Sequence, residues 1–200
     1  MSEVIYLRAL ANPAVAPCLV LVDLQREYVT KPRLMAVPGA AAALDHCRIA
    51  LAHARARGFP VAHCRQISKS SFFNKSSKFS AWIEGFEPTA AEMVFDHEQP
   101  SCYSNKQFST IMGDCGGHFV MAGFAGETAC LSTIVDAYHR GHQVTYLADA
   151  SASHDLGNLT GQTVQQTVAE IIRVYGEVLD TESWVQETSR VRTVLSKVQG

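Results

Sequence analysis

The chain has 200 residues, 47% of them apolar and 18% charged, with a formal net charge of −2 at neutral pH. That length suits one domain with a sizeable core, so residues 1–200 are expected to fold as a single unit. The charge balance excludes a general polyanion binder, so no nucleic-acid partner is expected, and the absence of a long apolar run excludes a membrane span.

The first ten residues, MSEVIYLRAL, carry an early acid and no small-residue cleavage site after an apolar block. No signal peptide is expected, and the protein is expected in the cytoplasm. Six cysteines (Cys18, Cys47, Cys64, Cys102, Cys115 and Cys130) are scattered, with no C-x-x-C pair. Neither a zinc cluster nor a disulfide framework is signalled.

In chain order, PCLVLVDLQ (Pro17 to Gln25) is a short, nearly continuous apolar run, as expected of a strand buried on both faces. Leu44, Cys47, Leu51 and Ala54 then recur at helical spacing, and Gly58 and Pro60 close that helix. FPVAHCR (Phe59 to Arg65) reads as a second strand. The Ser/Lys/Phe-rich piece from Ser68 to Trp82 is the one long irregular stretch, the kind that forms lids or partner contacts. Its aromatic residues Phe72, Phe73, Phe79 and Trp82 are expected at a subunit contact.

EMVFDH (Glu92 to His97) reads as a third strand, and NKQFSTIMGD (Asn105 to Asp114) as a short helix. HFVMAGF (His118 to Phe124) reads as a fourth strand, followed by a tight turn and a helix, and HQVTYLADA (His142 to Ala150) as a fifth. Val164, Val168, Ile171, Ile172, Tyr175 and Leu179 are read as one face of a long helix. SWVQE is read as a last short strand, before a terminal helix through Val194 and Val198.

Strands alternating with helices predict a three-layer α/β/α sandwich with a mostly parallel, doubly wound, Rossmann-like sheet. Ligands in such folds sit at the carboxyl ends of the strands. That rule singles out Asp23, His97, the Gly123–Ala129 turn and Asp149. Glycine at Gly123 and Gly126 suits a turn that other residues resist.

Three motifs in this framework resemble those of the isochorismatase-like hydrolase superfamily, across nearly the whole chain. The first is the strand LVLVDLQREYV, with Asp23, Gln25, Glu27 and Tyr28. The second is HEQPSCY, with His97 at the family's lysine position, then Ser101 and Tyr103. The third is the turn and helix AGFAGETACLSTIVDA, with Thr133, Asp136 and Ala137. An ungapped register from Gly123 to Asp136–Ala137 puts Ala129 where the family's nucleophilic cysteine stands. Cys130 lies one residue later, about 100° further round an α-helix.

The resemblance implies a hydrolase of a small, anionic metabolite. Authentic isochorismatases resemble this segment, with a small residue at the nucleophile position, and hydrolyse a vinyl ether without a covalent intermediate. Asp23 would then be the general acid/base, with His97 as its partner. His97 would supply its charge only when protonated, so a half-charged pocket is expected near neutral pH. Gln25, Tyr28, Tyr103, Phe124, Ala125 and Gly126 would contact the substrate. The family's metal signature is absent from CRQISKSSFF, so no metal and no cofactor are expected. The family habit also implies a homo-oligomer, a dimer or tetramer. Two alternatives stay open: a cysteine amidohydrolase whose bulged turn brings Cys130 to the site, and a catalytically silent binder of a small molecule or partner protein.

Overall fold

The computed structural model describes residues 17–198, with side chains through 189. The leader reading of MSEVIYLRAL and the side chains of Val194 and Val198 lie outside the described residues. The described residues form six strands and five α-helices, with a helix between successive strands except between the second and third: β1 (Cys18–Val22), α1 (Ala40–Arg57), β2 (Val61–Gln66), β3 (Met93–His97), α2 (Lys106–Asp114), β4 (His118–Gly123), α3 (Leu131–His139), β5 (Gln143–Ser151), α4 (Gly161–Ile172), β6 (Glu177–Leu179) and α5 (Thr181–Val198). The strands form one sheet in the order β3-β2-β1-β4-β5-β6. Every pairing is parallel.

β1 shows why the sheet is covered on both faces. All five of its residues are buried. Alternate side chains of a strand point to opposite faces. Leu19 and Leu21 pack with Leu44 and Leu51 of α1 and Trp184 of α5. Val20 and Val22 pack with Phe108 of α2, Ile134 of α3 and Val168 of α4. Burying each of these larger side chains contributes roughly 1.5–3 kcal/mol. The winding reverses between β1 and β4, so the two chain segments leaving those strands diverge and open a crevice at their carboxyl ends.

The last quarter of the chain differs from the expectation. The apolar face assigned to one long helix is split: α4 ends at Ile172, Tyr175 lies beyond it, and Leu179 belongs to β6. Gly176 makes the break, because a Cβ there would sit 2.6 Å from the Val144 carbonyl oxygen of β5. Only glycine lets the chain pass that close. SWVQE is correspondingly helical, the first turns of α5, whose start Asp180 caps by accepting from Ser183 N at 2.7 Å. Among the described residues, no helix is long and apolar enough to cross a membrane.

Candidate active site

Asp23 leaves the end of β1 in the left-handed region, at φ 52°. A non-glycine residue there is uncommon and is held by its surroundings. Its own N–H donates to the Cys64 carbonyl at 2.9 Å, and Gln66 N donates to its Oδ1 at 2.7 Å. The same Oδ1 accepts from His97 Nε2 at 2.9 Å. Both side chains are fully shielded from solvent. The second oxygen, Oδ2, is buried and has no partner.

The two contacts of its ring favour a charged His97. Its Nδ1 faces the Gln99 carbonyl at 2.7 Å, and a carbonyl can only accept, so Nδ1 carries a hydrogen. Nε2 faces a carboxylate, so it carries one too. Burial works against the charge, but the Asp23 carboxylate and the Gln99 carbonyl outweigh it and raise the pKa to about 10. A half-charged pocket near neutral pH is therefore replaced by a fixed imidazolium. A fully buried ion pair is weak evidence for stability, since desolvation offsets its attraction. Retaining one at a strand end points to use.

Gln25 is a brace. Its amide nitrogen donates to the carbonyls of Gln66 and Ser80 and to the Ser80 hydroxyl, and its oxygen accepts from Gln66 N. It thereby holds the strand end that holds Asp23. Tyr28 lies in the crevice, its hydroxyl 3.4 Å from Gln66 Oε1 and its ring 5.1 Å from Phe73 and 5.9 Å from Phe124. Phe73 comes from the long irregular segment, so that segment folds over its own site. Phe72 and Phe79 flank the Arg33 guanidinium, which is itself paired with buried Glu27.

Tyr103 is placed elsewhere than expected. Its hydroxyl meets His142 Nδ1 at 2.6 Å, just ahead of β5 and so at the amino ends of the strands, and its ring packs on Phe108. The motif around it is structural: Cys102 N donates to Thr133 Oγ1 at 2.9 Å, tying the loop after β3 to α3. Asp149 is also spoken for, accepting from the backbone and hydroxyl of Thr181 at the start of α5.

The turn after β4 begins at Gly123, at φ 125°, where a Cβ would fall 2.0 Å from the Val22 carbonyl oxygen. The Phe124–Ala125 peptide is cis. Residues Gly126–Cys130 then form a single π-helical turn, in which Cys130 N donates to the Ala125 carbonyl at 3.2 Å. The α-helical step of 100° per residue does not describe this turn. A π turn holds one residue more than an α turn, which is the bulge the cysteine alternative required. Even so, the Cys130 sulfur is fully buried and points at the Gly123 carbonyl oxygen, 3.7 Å away. Burial, then the charges of Cys102, Asp23 and Glu127, push its thiol well above its ordinary value. Nucleophilic cysteines are lowered instead. Ala129, at the register position of the nucleophile, is buried as well.

Two residues at the site escaped the sequence. Glu127, in the π turn, accepts from His154 Nδ1 at 2.7 Å, and the His154 ring lies 5.9 Å from that of Tyr28. His154 follows β5, and nothing local marks either residue as one of a pair. Among the described residues, no group of three or more His, Cys, Asp or Glu is placed to hold a metal ion.

A doubly wound parallel sheet with an acid at the end of its first strand and a glycine-started turn after its fourth is the framework of an α/β protein with its site at the strand ends. Residues 17–183 match the isochorismatase domain, and the chain belongs to that family. It superposes on an isochorismatase from Pseudomonas putida with a TM-score of 0.78 and 25% identity, over 85% of this chain and 90% of that one. A cysteine hydrolase from Pseudomonas syringae pv. phaseolicola matches with a TM-score of 0.80 and 20% identity, over 90% and 95%. An isochorismatase-like hydrolase from Alkaliphilus metalliredigens matches with 0.77 and 16%, over 86% and 98%. Among curated proteins, none matches the chain. At the level of the family, the chain is a hydrolase.

Proposed function

We propose that the protein hydrolyses a vinyl ether in a small, anionic metabolite, with Asp23 as general acid and without a covalent intermediate. One observation carries this reading: a buried Asp23–His97 ion pair with Oδ2 left without a partner, beside a cysteine held as a thiol. The reacting form carries one proton more than the resting ion pair, taken up at the free Asp23 Oδ2, and Asp23 gives that proton to the terminal carbon of the enol ether. The resulting oxocarbenium ion is flanked by the carboxylate left behind. The His97 imidazolium stabilises that carboxylate as it forms, which favours the transfer, and it draws an anionic substrate into the crevice. Water then adds, and the hemiketal collapses to an alcohol and a ketone.

The test is hydrolysis of isochorismate and of 2-phenoxyacrylate, a simple enol ether of pyruvate, followed through pyruvate release. Asp23→Asn is expected to lower the rate at least about a hundredfold, the usual worth of a positioned acid. Cys130→Ser is expected to leave it within about tenfold. Loss of activity in folded Cys130→Ser, with an acyl group trapped on the wild-type sulfur, would replace this reading with the cysteine amidohydrolase. Saturable binding of isochorismate without turnover would favour the silent binder.

A further inference from the structure

The crevice contains a second carboxylate–imidazole pair, built like the first. His154 Nδ1 meets Glu127 Oε1 at 2.7 Å, and its Nε2 meets the Met35 carbonyl at 3.1 Å. A carboxylate on one nitrogen and a carbonyl on the other again require a hydrogen on both. The hydrogen bond that His154 donates to Glu127 raises the pKa of His154 against the opposing effect of burial. Burial opposes the charge on Glu127 too, but His154 donates to it and the balance falls below the usual carboxylate range. Glu127 Oε2, like Asp23 Oδ2, is buried without a partner.

The two pairs border the same groups. The charges of both Asp23 and Glu127 bear on the Tyr28 hydroxyl and on the Cys130 sulfur. They differ in access. The side chains of Asp23 and His97 are 0% exposed, whereas His154 is 18% and Glu127 8% exposed. The second pair therefore lies nearer the surface than the first.

We propose that Glu127 is the second acid–base residue of the reaction, taking a proton from the attacking water and returning it to the leaving alcohol, while His154 positions it. This rests on the enol-ether reading above, and the steps balance within it. The Asp23 Oδ2–H bond breaks and the enol-ether π pair forms the new C–H bond, leaving the oxocarbenium ion. A water lone pair forms the C–O bond as its proton passes to Glu127 Oε2. The C–O bond to the leaving group then breaks, and that oxygen takes the proton from Glu127. The hemiketal hydroxyl proton passes to Asp23, so both carboxyl groups return to their starting states. A carboxylate beside an imidazolium is a weak base, and water adding to an oxocarbenium ion needs no stronger one. Sequence position supports the role as well, since Glu127 stands two residues before Ala129 on the same turn.

The experiment compares wild type, Glu127→Gln, Glu127→Asp and His154→Asn on isochorismate and 2-phenoxyacrylate, with kcat, KM and thermal midpoint measured from pH 3 to 9. Groups facing the pair are Tyr28 near the end of β1, Tyr146 of β5, Cys130 of the same turn, and Ser153 and Asp155 on either side of His154. Glu127→Gln is expected to lower kcat about 10²-fold, with KM within about threefold of wild type, and to remove the acid limb of the kcat profile. Glu127→Asp should restore part of the rate. His154→Asn should move the acid limb to higher pH, because Glu127 loses its cation. A merely structural pair would change the thermal midpoint and leave the limb in place, which overturns the proposal. So does a Glu127→Gln enzyme within threefold of wild type while Asp23→Asn is dead, an outcome that leaves the enol-ether reading standing. If wild type turns over neither compound, both fall together.

Discussion

Two buried carboxylate–histidine contacts lie one strand apart and have opposite electrostatics. Asp23 and His97 meet at 2.9 Å, and His97 is raised to about 10. Glu92 and His63 meet at 3.0 Å, with both side chains nearly as well buried, yet His63 is lowered. Burial is the largest influence on each ring. The difference is a third partner. Glu92 is gripped by Arg55 through two hydrogen bonds of 2.7 and 2.9 Å, and Thr89 N adds another. Arg55 supplies the charge Glu92 needs and repels a proton on His63. Among the described residues no other cation is bonded to Asp23, and its second oxygen is left over. Proximity to a carboxylate therefore does not charge a histidine unless the carboxylate has no better cation.

The strongest way to break the contrast is to remove the unshared partner. His97→Ala leaves the Asp23 charge sealed without a cation, and removing one member of a buried pair costs about 3–5 kcal/mol. Urea unfolding of the variant should show a loss of that size. A loss below about 1 kcal/mol would mean that water or Gln66 already satisfies Asp23, and the contrast with Glu92 would fail.

The residues of this contrast were unequally legible in the sequence. Alternating apolar strands and helices disclosed the parallel sheet, and the rule of strand ends then selected Asp23 and His97. Gln25 belonged to the same motif, but its role as a brace depends on Ser80, 55 positions away. Tyr103 was misplaced because a motif gives spacing along the chain and not the direction of a side chain, which Phe108 and His142 decide. Glu127 carried no signal of its own, since its partner His154 enters from beyond the next strand. The break at Gly176 was hidden by apolar residues that continue at helical spacing across it, and only the approach of the Val144 carbonyl exposes it.

A smaller effect separates the two histidine contacts by pH. His97 is raised above its unfolded value of 6.5, so its contribution to stability is complete below that pH and is lost as pH climbs through about 10. Glu92 is lowered to about 2, mainly by Arg55, so its contribution is complete above 4.5 and is lost as pH falls through about 2. The urea midpoint should therefore decline at both ends of the range for separate reasons. His97→Gln should flatten the alkaline decline alone, and Glu92→Gln the acid one alone. A single variant that flattened both would show the two contacts to be coupled.

The smallest effect tests the cause directly. Arg55→Met removes the third partner and leaves both members of the Glu92–His63 contact in place. Arg55 is about one-third exposed, so its loss should cost less than the loss of a fully buried partner such as His97. What changes is the sharing of charge. Glu92 loses its largest stabilising influence, and its pKa should rise toward the ordinary carboxylate value. His63 loses the repulsion of Arg55 and becomes the only cation bonded to Glu92, so its pKa should rise as well, although burial still opposes it. Proton NMR titration of the histidine rings reads this in one experiment, with His97 as an internal control that should not move. If His63 stays where it is in wild type, burial alone accounts for its depression. The charge on His97 would then have to come from some feature of the Asp23 crevice other than the want of a competing cation.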